Sequence, residues 1–318
     1  MNILSLNLYD LGGLSYNLCQ AINKHTDHQA RSIVIGQPFT RKPIMIQRKG
    51  SEEFLKQIRR WVRNADVLHF NEQRKNVTKY QIDPKLCKNK KIIYHAHGSD
   101  FRRNSKNILK LYRGAFPQMK IITSTPDLIP FAGEKAGATW FPSVVPILEY
   151  RKKYKRTRNN PPIVYYSPSQ SSTKAMKSVI RNVSKELWEK GVKFKLQVTT
   201  GALHTKNMGL KARADIYYDE ILPSPFYGVN AIEAGVLEKA VICNMTPYAR
   251  EYMKNLSERE GINCPFIVVA KREPLKRVLR KLVLDEKYRV ERGKAGLGYV
   301  RKMHGEQICV KRFMELVE

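Results

Sequence analysis

The chain has 318 residues, 42% of them hydrophobic, and carries 58 Lys and Arg against 28 Asp and Glu, a formal charge of +30. That length and apolar content argue against global disorder and suit two α/β domains, and no apolar run approaches the ~20 residues of a membrane-spanning helix. Five dispersed cysteines without a C-x-x-C pair speak for reduced thiols in a cytoplasm rather than a disulfide or zinc framework, and a basic surplus spread over both halves points to a polyanionic partner, either nucleic acid or an anionic membrane face.

Along the chain, Ile3–Leu8 reads as a first core strand rather than a signal-peptide leader. The loop Asp10-Leu11-Gly12-Gly13 and a helix from about Ser15 to Asn23 follow it, then a strand at Arg31–Gly36. Glu52–Arg63 is an amphipathic helix with Phe54, Leu55, Ile58 and Val62 on one face. Val67–Phe70, Lys91–His95, Lys120–Thr123 and a short Thr139–Phe141 continue the strand series. The basic stretch Tyr150–Asn160, closed by Pro161-Pro162, has the composition of an interdomain linker. The alternation then resumes with strands at Ile163–Ser167, Phe194–Thr199, Asp215–Tyr218, Ala240–Asn244 and Phe266–Ala270. Helices are expected at Lys174–Lys190, His204–Arg213, Gly228–Glu238 and Pro274–Leu284, with a helical tail over Lys287–Glu318. Such alternation predicts two successive doubly wound, Rossmann-like sheets, with ligands at the carboxyl edges of the strands.

Three loops at those edges carry polar chemistry. Gly12-Gly13 lets backbone approach a phosphate or sugar at a helix N-terminus, although a Gly-Gly pair also makes an ordinary turn. His95-Ala96-His97-Gly98-Ser99-Asp100 offers three readings: a core histidine, a metal site lacking a third ligand, or a cleft in which His97 or Asp100 contacts a substrate hydroxyl. Ser167–Lys174 (SPSQSSTK) places hydroxyls and Lys174 at a strand-to-helix turn, which is either a diphosphate cradle or a capped helix with a surface lysine. It contains no glycine and is not a Walker loop.

The most informative stretch is Asp215–Asn244. Glu233 stands there among Ala231, Ile232, Ala234, Gly235 and Val236 on a helix whose small residues allow close packing against a sheet. A carboxylate in such surroundings needs hydrogen-bonding partners, and the hydroxyls of a sugar or ribose would supply them.

The Gly12-Gly13 loop, Tyr94–Arg102 (YHAHGSDFR), Ser124–Pro142 and Ile163–Asn244 together resemble the retaining, glycosyltransferase family 4-like group of GT-B glycosyltransferases. The likeness spans nearly the whole chain, and HGSD and the F-Y-G-x-x-x-x-E-A segment are its more specific parts. It implies an α/β GT-B fold of two Rossmann-like domains facing a central cleft: an acceptor domain (1–148), a nucleotide-sugar donor domain (149–300) and a C-terminal helix (301–318) packing back on the first. The co-substrate would be a nucleoside-diphosphate sugar, with a UDP-sugar expected, and no cofactor or metal. Glu233 would bind the ribose, Lys174 would neutralise the diphosphate, and His97 would lie by the transferred sugar with Asp100 beside it in the catalytic set. Gly12, Gly13, Ser169, Asp219, Tyr227 and Gly228 would complete the donor site. Two departures affect sugar selectivity: Pro225 stands where a second Glu is frequent, with Asp219 or Glu220 as substitutes, and Ser171 where an Arg is frequent.

The charge bears on the acceptor. Arg102, Arg103, Lys106, Arg151, Lys152 and Lys153 are candidates for gripping double-stranded DNA, within the basic runs Arg41–Lys49, Lys88–Lys91, Arg102–Arg113, Arg151–Arg158 and Lys271–Lys281. The expected acceptor is a hydroxymethylated base in viral DNA, flipped out to reach the donor in the cytoplasm of the producing or infected cell. The alternatives are a lipid-linked or surface glycan, with Glu52–Arg63 and Trp61 docking on anionic membrane, and an inactive nucleic-acid-binding relative.

Overall fold

Strands buried on both faces need apolar side chains at consecutive positions. Ile3-Leu4, Leu6, Ile92-Ile93-Tyr94 and Ala240–Cys243 supply them, each at most 4% exposed. In the computed structural model, which describes residues 1–7, 10–34, 52–72, 82–133, 137–168, 174–219 and 225–318, such segments build two parallel sheets. β1 (Asn2–Asn7), β2 (Gln29–Val34), β3 (Val67–Glu72), β4 (Lys91–Ala96), β5 (Lys120–Thr123) and β6 (Thr139–Trp140) lie in the order β2-β1-β3-β4-β5-β6. β7 (Ile163–Tyr166), β8 (Lys195–Val198), β9 (Ile216–Tyr218), β10 (Ala240–Cys243) and β11 (Ile267–Val268) lie in the order β11-β10-β9-β7-β8. The chain divides into two compact units, Met1–Val144 with Glu306–Glu318 and Val145–Gly305, and the expected doubly wound α/β class is found in each.

In both sheets the strand order reverses once, between β1 and β3 in the first unit and between β7 and β9 in the second. Loops leaving the two strands of such a pair diverge to opposite faces, which opens a crevice at the carboxyl edge. The loops after β1, β3, β7 and β9 therefore command the ligand-binding positions of the fold.

In the first unit, the Glu52–Asn64 helix buries Phe54, Ile58 and Val62, and the Gly98–Ala115 helix buries Phe101, Ile108, Leu109 and Tyr112 against the same core. The opposite core joins the Leu14–His25 and Glu306–Val317 helices over Ile3, Val67 and Ile93. Lys120 Nζ donates to Leu316 O at 2.7 Å and Lys91 Nζ to Val317 O, placing cations at the helix C-terminus where the dipole favours them. In the second unit, Ile180, Val183 and Leu187 pack with Leu275, Leu279 and Leu282 over one face of the sheet.

Three local expectations change. Tyr150–Asn160 is not a free linker: Ile147–Lys153 is helical, Thr157 N donates to Ala212 O at 3.2 Å, and Asn159 Nδ2 donates to Asp215 Oδ2 at 2.9 Å. The units divide at Val144/Val145 because Val145 N donates to His304 O at 3.1 Å and Val145 bridges Gly305. The tail is two helices, Glu286–His304 and Glu306–Val317, separated at Gly305, where a Cβ would meet Arg301 O at 2.6 Å.

The small residues of the Val229–Val236 helix press closest on the Glu286–His304 helix. A Cβ on Gly235 would meet Val300 Cγ2 at 2.9 Å, and one on Gly293 would meet Glu238 O at 2.1 Å. Gly298, on the same helix, faces open space. Gly293→Ala is expected to destabilise the chain by about 2–3 kcal/mol, because neither backbone can yield without separating the elements. Gly298→Ala is expected to stabilise it by about 0.5–1 kcal/mol. Paired urea unfolding curves check both signs.

Candidate functional site

Glu233 lies one turn into the Val229–Val236 helix, beside the β7/β9 crevice, and is 3% exposed. Its partners come from the His204–Arg213 helix, where His204, Asn207 and Lys211 recur at i, i+3 and i+7 and so share one face. His204 Nε2 donates to Glu233 Oε1 at 2.6 Å, and Lys211 Nζ donates to Glu233 Oε2. Lys211 is itself 0% exposed; it also donates to Asn230 Oδ1 at 2.6 Å and lies 5.5 Å from the Tyr217 ring centroid. Asn207 donates to Asn230 Oδ1 at 3.1 Å and accepts from Tyr165 OH at 2.9 Å. Burial pushes the Glu233 carboxyl up, but Lys211 and His204 outweigh it and hold it at about 2, so it is an anion at neutral pH.

The carboxylate that the sequence left without protein partners is thus already held by two cation-capable side chains. Lys211 and His204 were missed because, 22 and 29 residues from Glu233, each passes in sequence for a solvated helix residue. The inward i, i+3, i+7 polar stripe was the signal that could have found them.

The remaining donor-side residues divide. Asp219 Oδ2 accepts from Gly228 N at 2.9 Å, so these two meet at the N-terminus of the Glu233 helix. Tyr227 is 2% exposed, and its hydroxyl bonds Tyr299 OH and, at 3.1 Å, His304 Nε2. Its side chain therefore anchors the Glu286–His304 helix. Ser169, Ser171, Glu220 and the side chain of Lys174 lie outside the described residues, and Lys174 opens the Lys174–Glu189 helix.

In the first unit a neutral network occupies the β1/β3 crevice. His97 Nε2 bonds Asn71 Oδ1, Asn71 Nδ2 donates to Asn7 Oδ1 at 2.6 Å, and Asn7 Nδ2 donates to Ser15 Oγ, Ser32 Oγ and Ile33 O, each at 3.0 Å. This amide direction puts the His97 proton on Nε2 and leaves Nδ1 as the acceptor nitrogen. His69 joins Ser5 at 3.0 Å and His95 at 3.3 Å. Desolvation, with the His97 charge adding to it at His69, holds His69 and His97 at about 3 and drives His95 well below its ordinary value. Among the described residues no group of three His, Cys, Asp or Glu could hold a metal ion.

Gly12 and Gly13 adopt φ of 66° and 72° at the start of the Leu14–His25 helix, but Asp10 already occupies that N-terminus. Its carboxylate accepts from Ser15 N at 3.0 Å and Tyr16 N at 3.2 Å. Burial raises Asp10 to about 6, against the pull of those two bonds. Asp100 lies in the first turn of the Gly98–Ala115 helix and accepts from Asn104 Nδ2 at 2.9 Å.

Of the polyanion candidates, two are engaged within their own units. Arg102 donates to Asp127 Oδ2 at 2.8 Å, and Arg151 donates to Glu238 Oε1 at 2.8 Å and Val236 O at 3.2 Å. Arg103, Lys106, Lys152 and Lys153 are exposed, and Arg41–Lys49 lies outside the described residues.

No protein-family model and no curated protein sequence matches the chain. Its fold is shared end to end with solved glycosyltransferases. One from Rickettsia africae is 15% identical with a TM-score of 0.70, covering 99% of this chain and 97% of that one. HepE of Anabaena in complex with UDP-glucose is 13% identical with a TM-score of 0.66, covering 99% and 98%. An alpha-glucosyltransferase in complex with UDP-glucose and DNA containing an abasic site is 11% identical with a TM-score of 0.67, covering 100% and 99%. The fold is therefore GT-B, as the sequence resemblance implied.

The histidine network makes the first unit acid-sensitive. A histidine whose folded pKa is lowered stabilises the fold fully above its unfolded value near 6.5, and that contribution is lost as pH falls toward about 3. At pH 5 the loss is about 2 kcal/mol for each of His69 and His97, while Asp10, shifted the opposite way, returns about 1 kcal/mol. Urea unfolding at pH 7.5 and pH 5.0 should show a drop of several kcal/mol; a flat profile would contradict the buried neutral ladder.

Proposed function

We propose that the chain is a glycosyltransferase that moves a sugar from a UDP-sugar to a hydroxyl acceptor, and that the acceptor is a hydroxymethylated base in DNA. The observation that carries the reading is a buried, fully ionised Glu233 at the strand-order reversal of a GT-B second unit, in a fold shared with proteins solved with UDP-glucose. Ribose hydroxyls would donate to that carboxylate, whose orientation Lys211 fixes. Lys174 and the N-terminus of its helix suit the charge that develops on the departing diphosphate. The reaction forms a glycosidic bond from the sugar's anomeric carbon to the acceptor oxygen and breaks the bond to the UDP oxygen. The UDP leaves with the bonding pair, and its departing phosphate oxygen takes the acceptor proton in the same step. Retention without a metal follows the sequence resemblance.

For the acceptor, the +30 charge and the DNA-bound neighbour support DNA. The membrane alternative, which nearest-family likeness favours, places Trp61 on its docking face. That ring packs on the first unit's core and is capped by Arg31, whose guanidinium carbon lies 4.9 Å from the ring centroid, instead of presenting an insertable face.

Incubation of the protein with a panel of UDP-sugars and duplexes containing hydroxymethylated or plain bases, read by mass spectrometry of the nucleosides, is expected to add one sugar to the hydroxymethylated base alone. Glu233→Ala should raise the donor KM at least tenfold. Slow hydrolysis of a UDP-sugar without any acceptor would remove the inactive-relative reading, and absence of sugar on every DNA would remove the DNA reading.

A further inference from the structure

The first unit carries a groove of about 510 Å³ between the Gly98–Ala115 helix and residues 130–133, lined by Lys106, Lys110, Arg113, Pro130 and Phe131 among others. Lys106, Lys110 and Arg113 recur at i, i+4 and i+7, so they stand on one helix face, and Arg103 extends the row by one turn. All four are exposed, and none takes part in an ion pair among the described residues. Arg102, by contrast, is paired with the carboxylate of Asp127. No carboxylate among the described residues lines the groove. Its apolar wall is unusual for a cationic surface, because Phe131 is 43% exposed beside three cations.

A row of cations one helical turn apart covers roughly 15 Å from Arg103 to Arg113. That is about four nucleotides at 3.4 Å rise per strand. An anionic partner with evenly spaced charges and flat apolar rings matches both walls: phosphates pair with the row, and an unstacked base lies on Phe131. A lipid surface would meet the cations and a single exposed ring, because the other helix positions on this face, Ser105 and Leu109, are buried and leave no apolar stripe to insert. We propose that this groove grips one strand of the DNA acceptor, with Lys106, Lys110 and Arg113 on successive phosphates and Phe131 stacked on an unpaired base. The proposal rests on the DNA reading above and assigns it a surface. It selects the Arg102–Arg113 run from the expected basic runs and adds an aromatic contact that charge alone does not call for.

The test is fluorescence anisotropy of the full chain with a hydroxymethylated duplex and with the matching single strand across a salt series. Variants are Lys106→Gln/Lys110→Gln/Arg113→Gln and, separately, Phe131→Ala, with thermal melting as the control for folding. The triple variant is expected to flatten the slope of log K against log salt by about 2–3 on duplex DNA. Phe131→Ala is expected to leave the slope unchanged and weaken single-strand binding by about 5- to 100-fold. Wild-type binding with both variants indistinguishable from it would overturn the groove while leaving the DNA reading standing. No wild-type DNA binding at any salt would remove both. A triple variant that loses flotation with phosphatidylglycerol vesicles while keeping the DNA slope would reassign the groove to membrane and overturn the proposal.

Discussion

The second unit depends on one buried charge pair. Glu233 and Lys211 are 3% and 0% exposed, so each would be too costly to bury alone. Their pairing ties the His204–Arg213 helix to the Val229–Val236 helix, and Asn230 and Asn207 carry the connection on to Tyr165 in β7. The strand that enters the crevice, the helix that borders it and the helix that backs it are thereby held in one register. A hydrophobic replacement of the same volume could hold the elements as well. Retaining charge here leaves an anion with a fixed orientation at a ligand-binding edge, which a purely structural contact would not need.

The two units solve the same topological problem with different chemistry. Each reverses its strand order once and gathers polar side chains at that reversal. In the second unit the group is ionic and its carboxyl is held at about 2. In the first it is a chain of amides, hydroxyls and imidazoles in which burial keeps every histidine neutral. A neutral, directional network suits recognition of an uncharged hydroxyl, whereas a fixed anion suits a ribose diol. The first unit also places its anion-attracting helix N-terminus under Asp10, which removes that end as a phosphate site.

Much of the fold was legible because parallel strands buried on both faces leave near-continuous apolar runs; Lys120–Thr123 and the His204–Arg213 helix have the expected bounds. Three helices longer than about one turn were not. In Gly98–Ala115 the apolar positions Phe101, Ile108, Leu109 and Tyr112 are interrupted by buried Ser105 and surrounded by basic residues. In Ile147–Lys153 only Ile147 and Tyr150 are buried, and in Pro247–Glu260 only Ala249, Met253 and Leu256. Of the candidate site, Glu233 stood out as a carboxylate among small residues, but Lys211 did not, since a lysine on a helix ordinarily faces water. Tyr227 read as a ligand contact because it adjoins Gly228 at the start of the Glu233 helix; its ring packs against Phe266 and Tyr299.

The proposed nucleotide site is the anion at the β7/β9 reversal. A crystal structure of the protein soaked with UDP tests it most directly. The ribose hydroxyls should lie within hydrogen-bonding distance of Glu233, with the diphosphate toward the start of the Lys174–Glu189 helix and the Lys211 contact intact. UDP bound in the first unit, or in the second with Glu233 still sealed by Lys211 and His204 and touching no ligand atom, would contradict the account.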